Sequence, residues 1–367
     1  MEEQGTAAKP PTGSPRKSPV ATNQSITPKI GQNVIEPTVD ASESPIESIV
    51  DAPENNEEGD GYETASDAGP NDTSSLASSI RDFNFENKRR YHKFQEGRYA
   101  FPNDDAEQER EDMKHAMIVT LCAGKLHSAP LENPQNFLDI GTGTGIWAID
   151  TEIQGIDLSP IQPLYVPANV SFVVDDAEAE WLQPDNSIDY IHVRNMGAAI
   201  KDWTKLFSQA YRVLKPGGWI ELQEMKWSFN CDDGTMPSTY AVTKMMKLIW
   251  EGLGKFGIEA DVADTNPQRL KDAGFMNQVL DVRKVPVGAW PKRQDLRKIG
   301  EYCKSVIYDG LHGITVGPLT RGLGWTAEEV EVFLVDVRKD LLKTSIHSYV
   351  FYHSVAGQKP QETEETA

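Results

Sequence analysis

The segment from Phe137 to Asp157 constrains this chain more than any other. A short apolar run, Phe137-Leu138-Asp139-Ile140, leads straight into Gly141-Thr142-Gly143-Thr144-Gly145, and a helical pattern follows. Glycines at alternate positions let the backbone turn sharply and lie close against a ligand. Strand, glycine-rich turn and helix form the opening of a βαβ unit, and the short apolar runs that follow alternate with helical patterns, as in a parallel sheet. Phe137–Ile140 reads as the first strand, Gln154–Asp157 as the second, Val170–Val174 as the third, Ile188–Val193 as the fourth and Trp219–Gln223 as the fifth. Ligands of such sheets bind at the strands' carboxyl ends.

The spacing inside the loop discriminates between cofactors. A dinucleotide fingerprint needs its third small residue five places after the first glycine; here that place is Ile146, and glycine comes one residue early at Gly145. Asp139, two residues before the first glycine, would repel a pyrophosphate but suits a ligand carrying a sulfonium and an ammonium group. The loop therefore points to S-adenosylmethionine. Asp157 is placed to accept hydrogen bonds from two ribose hydroxyls. Asp175-Asp176-Ala177, after the third strand, puts a carboxylate where an adenine amino group would lie, although a polar strand end alone would look the same.

The flanking regions complete the outline. Asp104–Leu121 reads as a helix with Met113, Met117 and Leu121 at i, i+4 and i+8, and Asp202–Leu214 as another, stopped by Lys215-Pro216-Gly217-Gly218. Ser238–Phe256, Pro267–Ala273, Arg293–Leu311 and Thr326–Thr344 are helical patterns, the last opened by Thr326 and Glu329 at capping-box spacing. Asn277–Val285 and Ile346–Val355 read as strands. Residues 1–80, rich in Ser, Thr, Pro and acids, have no apolar period and are expected to be a disordered tail; residues 81–360 form the folded domain, and 361–367 a short tail. Within the domain, 81–130 reads as a helical lid, 131–225 as the cofactor-binding core and 226–360 as acceptor-side helices and last strands.

Three motifs, Gly141–Asp150 (GTGTGIWAID), Gly155–Pro163 (GIDLSPIQP) and Leu214–Glu221 (LKPGGWIE), together with Arg98-Tyr99, Pro102-Asn103-Asp104, Glu107, Arg110 and His115 upstream, resemble the fungal LaeA-like methyltransferases over about Tyr91–Pro360. The first and third motifs are widespread in class I methyltransferases, and the second, with Trp147, is particular to this group. The resemblance implies a Rossmann-like α/β fold, with a mostly parallel seven-stranded sheet, an antiparallel last strand and helices on both faces. It implies that Gly141, Gly143 and Gly145 face the methionine part of the cofactor, Asp157 the ribose and Asp176, with Ala177, the adenine, with Arg194 and Asn195 lining the same cleft. Family members are small-molecule methyltransferases of fungal secondary metabolism or nuclear regulators that act with velvet-type proteins, and the motifs do not separate the two.

One departure stands out. In relatives the helix after Gly145 is longer, whereas here only Ile146–Ile153 separate loop from second strand, roughly 12 Å of helix. A parallel crossover normally needs about a dozen residues. The expectation is a displaced ribose acid, or a lost segment, and weakened cofactor binding.

Methyl transfer is an in-line displacement that asks mainly for positioning and the removal of one proton. His192 and Glu224, near strand ends, are candidate bases, set against the plainer readings of a structural histidine and a solvated acid. Trp219, Trp227, Trp250 and the aromatics between Tyr91 and Phe101 are candidates to enclose an apolar small-molecule acceptor, or else belong to the core.

Composition narrows the alternatives. The formal charge is −20, about half of it in the tail, and no basic stripe is present. Nucleic-acid binding is not expected, since it rests on Lys and Arg displacing counterions; no Asn/Asp-Pro-Pro-aromatic motif follows the fourth strand. Pro15-Arg16-Lys17 and Lys88-Arg89-Arg90 are short basic runs, and Ser14-Pro15, Ser18-Pro19, Thr27-Pro28 and Ser44-Pro45 are candidate phosphosites. A dehydrogenase fails on Ile146 and on the lack of a nicotinamide-side domain. Cys122, Cys231 and Cys303, unpaired in spacing, and the scattered histidines suggest neither disulfides nor a metal site. Without a signal peptide or an apolar span, no membrane is expected, and the location is cytosol or nucleus.

Overall fold

The computed structural model describes residues 82–361 except Glu152, Leu164 and Asp261; the tail expected over 1–80, and all of 361–367 but Gln361, lie outside the described residues. The chain enters through a β-hairpin, β1 (Phe83–Glu86) and β2 (Arg89–His92), turned by Asn87 and Lys88, both at positive φ as a two-residue hairpin turn requires. This corrects the purely helical lid read from the sequence: Arg- and Asn-rich segments without alternation hide a hairpin whose cue is its turn. Helix α1 (Asp105–Leu121) follows, capped by the Asp104 side chain on the Glu107 amide.

The main sheet contains β3 (Phe137–Ile140), β4 (Gln154–Asp157), β5 (Ser171–Val174), β6 (Ile188–Arg194), β7 (Leu214–Asn230), β8 (Met276–Pro286) and β9 (Tyr349–Gln358) in the order β5-β4-β3-β6-β7-β9-β8. Pairing is parallel from β5 to β7, and β9 runs antiparallel to both neighbours, so the sheet is the mostly parallel, seven-stranded one with an antiparallel last strand. Helices α2 (Ile146–Thr151), α3 (Trp203–Val213), α4 (Ala241–Gly254), α5 (Val262–Asp272), α6 (Gln294–Gly317) and α7 (Ala327–Leu341) complete the chain, with a π-helical turn at Pro318–Gly322 after α6. The inward rows of α3 and α5, including Leu206, Phe207, Ala210, Val213 and Leu270, form one core with β3, β6 and β7. Helices α1, α4, α6 and α7 build a second core over the far half of the sheet.

Several boundaries differ from the sequence reading. Strand β7 begins at Leu214, because the Lys215–Gly218 stretch read as a stop is an irregular start of the strand, with Leu214 opposite Ile188 before the register shifts to Trp219 opposite Tyr190. Helix α5 starts at Val262, with Pro267 inside it and not at its first turn. Strand β9 starts at Tyr349 and runs past Val355 to Gln358. The capping box of α7 is present in both halves: Glu329 N–H donates to Thr326 Oγ1 at 3.2 Å and Thr326 N–H to Glu329 Oε2 at 2.8 Å.

The short crossover closes without displacing β4. Helix α2 has six residues, yet Leu138, Asp139 and Ile140 pair in parallel with Gln154, Gly155 and Ile156. Two glycines make room. A Cβ on Gly145 would lie 2.5 Å from the Phe172 ring, and one on Gly155 would lie 2.6 Å from Thr142 Oγ1. The amides of Gly141 and Thr142 both donate to the Ile156 carbonyl, at 2.9 and 3.0 Å, which stitches the loop to the end of β4.

Candidate active site

The loop after β3 takes its shape from residues behind it. Gly141, Gly143 and Gly145 all have positive φ, at 72°, 58° and 83°. Asp139 is buried beneath them: one carboxylate oxygen accepts from Thr142 Oγ1 at 2.7 Å and the other is 2.7 Å from His192 Nδ1. The His192 ring is fully buried and stacks on Trp147, centroids 3.6 Å apart and planes 9° from parallel. Three expectations change as a result. Asp139 does not line the cleft, and its carboxylate braces the loop instead of meeting the cofactor. His192, walled off by Trp147 and hydrogen-bonded to Asp139, is no base for an acceptor. Gly145 turns toward Phe172 and serves the crossover.

What faces the cleft is the rest of the set. A cavity of about 950 Å³ is lined by Gly141, Gly143, Asp157, Asp176, Ala177, Arg194 and Asn195. Asp157, the acid expected at the ribose, is therefore not displaced: its Oδ2 accepts from Gly143 N–H at 2.8 Å and its Oδ1 from Ser159 N–H at 2.9 Å. Burial pushes its carboxyl up to about 6 against these hydrogen bonds. Asp176 pairs with Arg98, Nε to Oδ2 at 3.2 Å, and Arg98 also holds Glu178. Arg194, lowered by burial, donates to His115 Nδ1 at 3.0 Å, and His115 Nε2 lies 3.1 Å from Asp150. Asn195 adopts a φ of 56° at the end of β6.

The segment before the core supplies the opposite wall. Arg98, Tyr99, Pro102 and Asn103 line the cavity, and Asn103 Nδ2 donates to Ser159 Oγ at 3.1 Å. Arg89 holds Asp104 through two hydrogen bonds, at 2.5 and 2.7 Å, which ties the hairpin to the start of α1. From α1 itself come Glu107, Glu111 and Lys114. Their i, i+4, i+7 spacing puts three charged side chains on one stripe, a signal the sequence offered and the Met113–Met117–Leu121 stripe overshadowed.

A second cavity of about 880 Å³ adjoins the first and shares Tyr99, Glu111, Lys114 and Asn195 with it. Its far walls are apolar, with Phe101, Trp227, Met246, Ile249, Trp250 and Leu253; Trp219 instead packs in the core beside Trp147 and Tyr190. Glu224 of β7 lines this cavity, accepting from Met196 N–H at 2.9 Å, and burial lifts its carboxyl to about 8. Glu224 is thus no solvated acid, and a group titrating near neutrality is suited to proton transfer. Burial raises the neighbouring Glu111 carboxyl, but Lys114 and Arg110 outweigh it and bring the group down to about 2.

The first cavity fits S-adenosylmethionine. A Cβ on Gly143 would meet nothing within 4 Å, so the loop leaves open space at a position that only glycine adopts easily. Carboxylates of Asp157, Asp175 and Asp176 stand among the apolar Ile156, Leu158, Ile161, Ala177 and Ile200, matching hydroxyl and amino donors on a flat ring. Arg98 is engaged by Asp176 and Glu178 and Arg194 by His115, and Lys114, paired with Glu111, keeps donors to spare, so among the described residues of this lining no cluster of free cations is left to clamp a pyrophosphate. Among the described residues no cluster of His, Cys, Asp and Glu could hold a metal ion, and no helix is long and apolar enough to cross a membrane.

Comparison with known proteins agrees with this geometry. A methyltransferase-domain family model matches residues 112–266. Methyltransferase pytC of Aspergillus terreus is 39% identical over 295 residues, 78% of this chain and 91% of that protein. The secondary metabolism regulator LAE1 of Cochliobolus heterostrophus is 33% identical over 291 residues, covering 76% and 95% of the two chains. The protein-methionine methyltransferase laeA of Emericella nidulans is 29% identical over 297 residues, covering 77% and 78%. With a cofactor cradle built from its own β3 loop and the ends of β4, β5 and β6, the chain belongs to the LaeA-like family of S-adenosylmethionine-dependent methyltransferases.

Proposed function

We propose that this protein methylates a small, largely apolar acceptor in fungal secondary metabolism. The observation that carries the reading is the shared wall: Tyr99, Glu111, Lys114 and Asn195 border both the cofactor cavity and a chamber walled largely by apolar and aromatic side chains, the lining typical of a small-molecule site. The cofactor supplies a methyl group on a positively charged sulfur. The protein's part is to hold that group in the cradle of Gly141, Gly143 and Asp157, to orient the acceptor with the walls of Phe101, Trp227 and Trp250, and, for an acceptor that still carries its proton, to take it on the ionised fraction of Glu224, which grows toward pH 8. Incubating the purified protein with methyl-labelled S-adenosylmethionine and an extract of its own cells should place label in a low-molecular-mass product, absent with Gly143→Arg. No labelled small molecule from the active-site-intact protein refutes the reading.

A second reading takes its support from the names of LAE1 and laeA, both secondary metabolism regulators. In it the protein acts in the nucleus through velvet-type partners, with catalysis secondary. Label confined to protein, with nuclear retention and partner binding unchanged by Gly143→Arg, favours this alternative. Cytosolic residence with labelled metabolite favours the first.

A further inference from the structure

The neck between the two cavities holds more charge than the positioning of a methyl group requires. Lys114 is buried on α1, and its ammonium meets the Glu111 carboxylate at 2.6 Å. An ammonium has three donors, and Glu111 is the one hydrogen-bond partner of Lys114 among the described residues. Arg110 beside it is engaged on two of its three nitrogens, Nε and Nη2, with Glu107 at 3.0 and 2.6 Å and, from Nη2, with Glu111. Beyond the neck the walls are mostly apolar and the remaining cation of the lining, Lys226, is paired with Asp264, so the polar end of an occupant faces Lys114.

The donors left over at the neck then select the chemistry of that end. An ammonium group brings only donors, and so would offer nothing to the unused donors of Lys114. An oxygen anion would instead receive charge-assisted hydrogen bonds from the unused donors of Lys114. Tyr99, whose phenol burial holds well above its usual range, and Glu224, protonated into the neutral range, add no competing negative charge beside it. Glu111 and Glu107 are already neutralised by Lys114 and Arg110.

We propose that the acceptor is an apolar compound bearing one acidic oxygen, a phenol, enol or carboxylic acid, and that Lys114, braced by Glu111, binds that oxygen in its ionised form. The inference rests on the small-molecule reading above. It is tested without cofactor and without turnover, by calorimetric titration of the full-length protein with 2-naphthol, 2-naphthoic acid and 2-naphthylamine, which share one ring system. At pH 8 the naphthoic acid, fully ionised, binds about tenfold more tightly than the uncharged amine, and the absorbance of bound naphthol shows it ionising about one pH unit lower than when free, the same tenfold preference for an oxygen anion read in two ways. Lys114→Met removes the preference while leaving the amine's affinity within about twofold, and Lys114→Arg, which keeps the charge, restores it. A preference that survives Lys114→Met, an amine that binds as well as the naphthoic acid, or a naphthol that ionises no lower when bound, overturns the proposal alone. Failure of all three ring compounds to bind overturns it together with the small-molecule reading.

Discussion

Replacing Glu224 by glutamine isolates the burial of one acid. Its carboxyl is raised from 4.5 to about 8, chiefly by burial. Between those values the native protein keeps a proton that the unfolded chain has lost, so stability falls as pH rises, by about 1.4 kcal/mol per pH unit. The accumulated cost is about 3 kcal/mol at pH 7 and about 5 kcal/mol above pH 8, where the native group has ionised as well. Glutamine resembles the protonated acid in shape, and its carbonyl oxygen can still accept from Met196 N–H, at 2.9 Å in the native protein. Urea unfolding followed by tryptophan fluorescence at half-unit pH steps from 4 to 9 measures the difference directly. Glu224→Gln should match the wild type near pH 4.5, gain stability steadily to about pH 8 and hold a constant advantage beyond. Two stability curves that stay parallel from pH 5 to 8 would show that Glu224 ionises normally in the folded protein, and the case for it as a base poised near neutrality would go with them.

Asp157, raised to about 6, should make cofactor affinity rise between pH 5 and 7 and level off above, because its ionised form is the better acceptor for ribose hydroxyls; Asp157→Asn should bind more weakly and without that dependence, as read by calorimetry. Gly145→Ala forces a Cβ to within 2.5 Å of the Phe172 ring and adds backbone strain, so it should lower stability by about 2–4 kcal/mol. Gly143→Ala, with open space around it, should cost only the strain of about 1–2 kcal/mol while still weakening cofactor binding, and chemical unfolding beside titration separates the two. Arg98→Ala releases Asp176 and Glu178 from the entering segment, and amide exchange around residues 98–103 should accelerate at least tenfold if that pair fastens the wall.

The sheet was legible because its strands are apolar runs of standard length ended by turns, and the acids that line the cleft fall at those ends. The direction of each acid was not. Asp139 and Asp157 look alike in sequence, each a strand-end aspartate, yet one is tied beneath the loop by Thr142 and His192 and the other opens onto the cavity. Two-residue alternation assigns a side chain to a face only within the strand, and the turn that follows reassigns it. His192 was misread for the same reason: its position at β6 is right, but only the stacked Trp147 ring, 45 residues earlier in the chain, shows that it is sealed off. Lys114 escaped notice because a lysine in an amphipathic helix reads as solvated surface, and its burial depends on α6 packing against a face that the local pattern does not mark.

The shortened crossover shows what local length rules leave out. A helix of six residues returns the chain far enough only if loop and strand can approach more closely than side chains normally allow. Here Gly145 and Gly155 flank Phe172 and Thr142, so the two ends of the crossover close over a β5 aromatic ring that takes the place of absent helix. The expectation of a displaced ribose acid treated chain length as the only variable. With the loop stitched to Ile156 and Asp157 bonded to Gly143, the acid keeps its place by contacts that span the missing turns. If this account holds, Phe172→Ala should weaken the cofactor site without touching it, since the ring holds both glycines in register: affinity should drop together with stability, and affinity unchanged in a destabilised Phe172→Ala protein would mean that Asp157 is held by β4 alone.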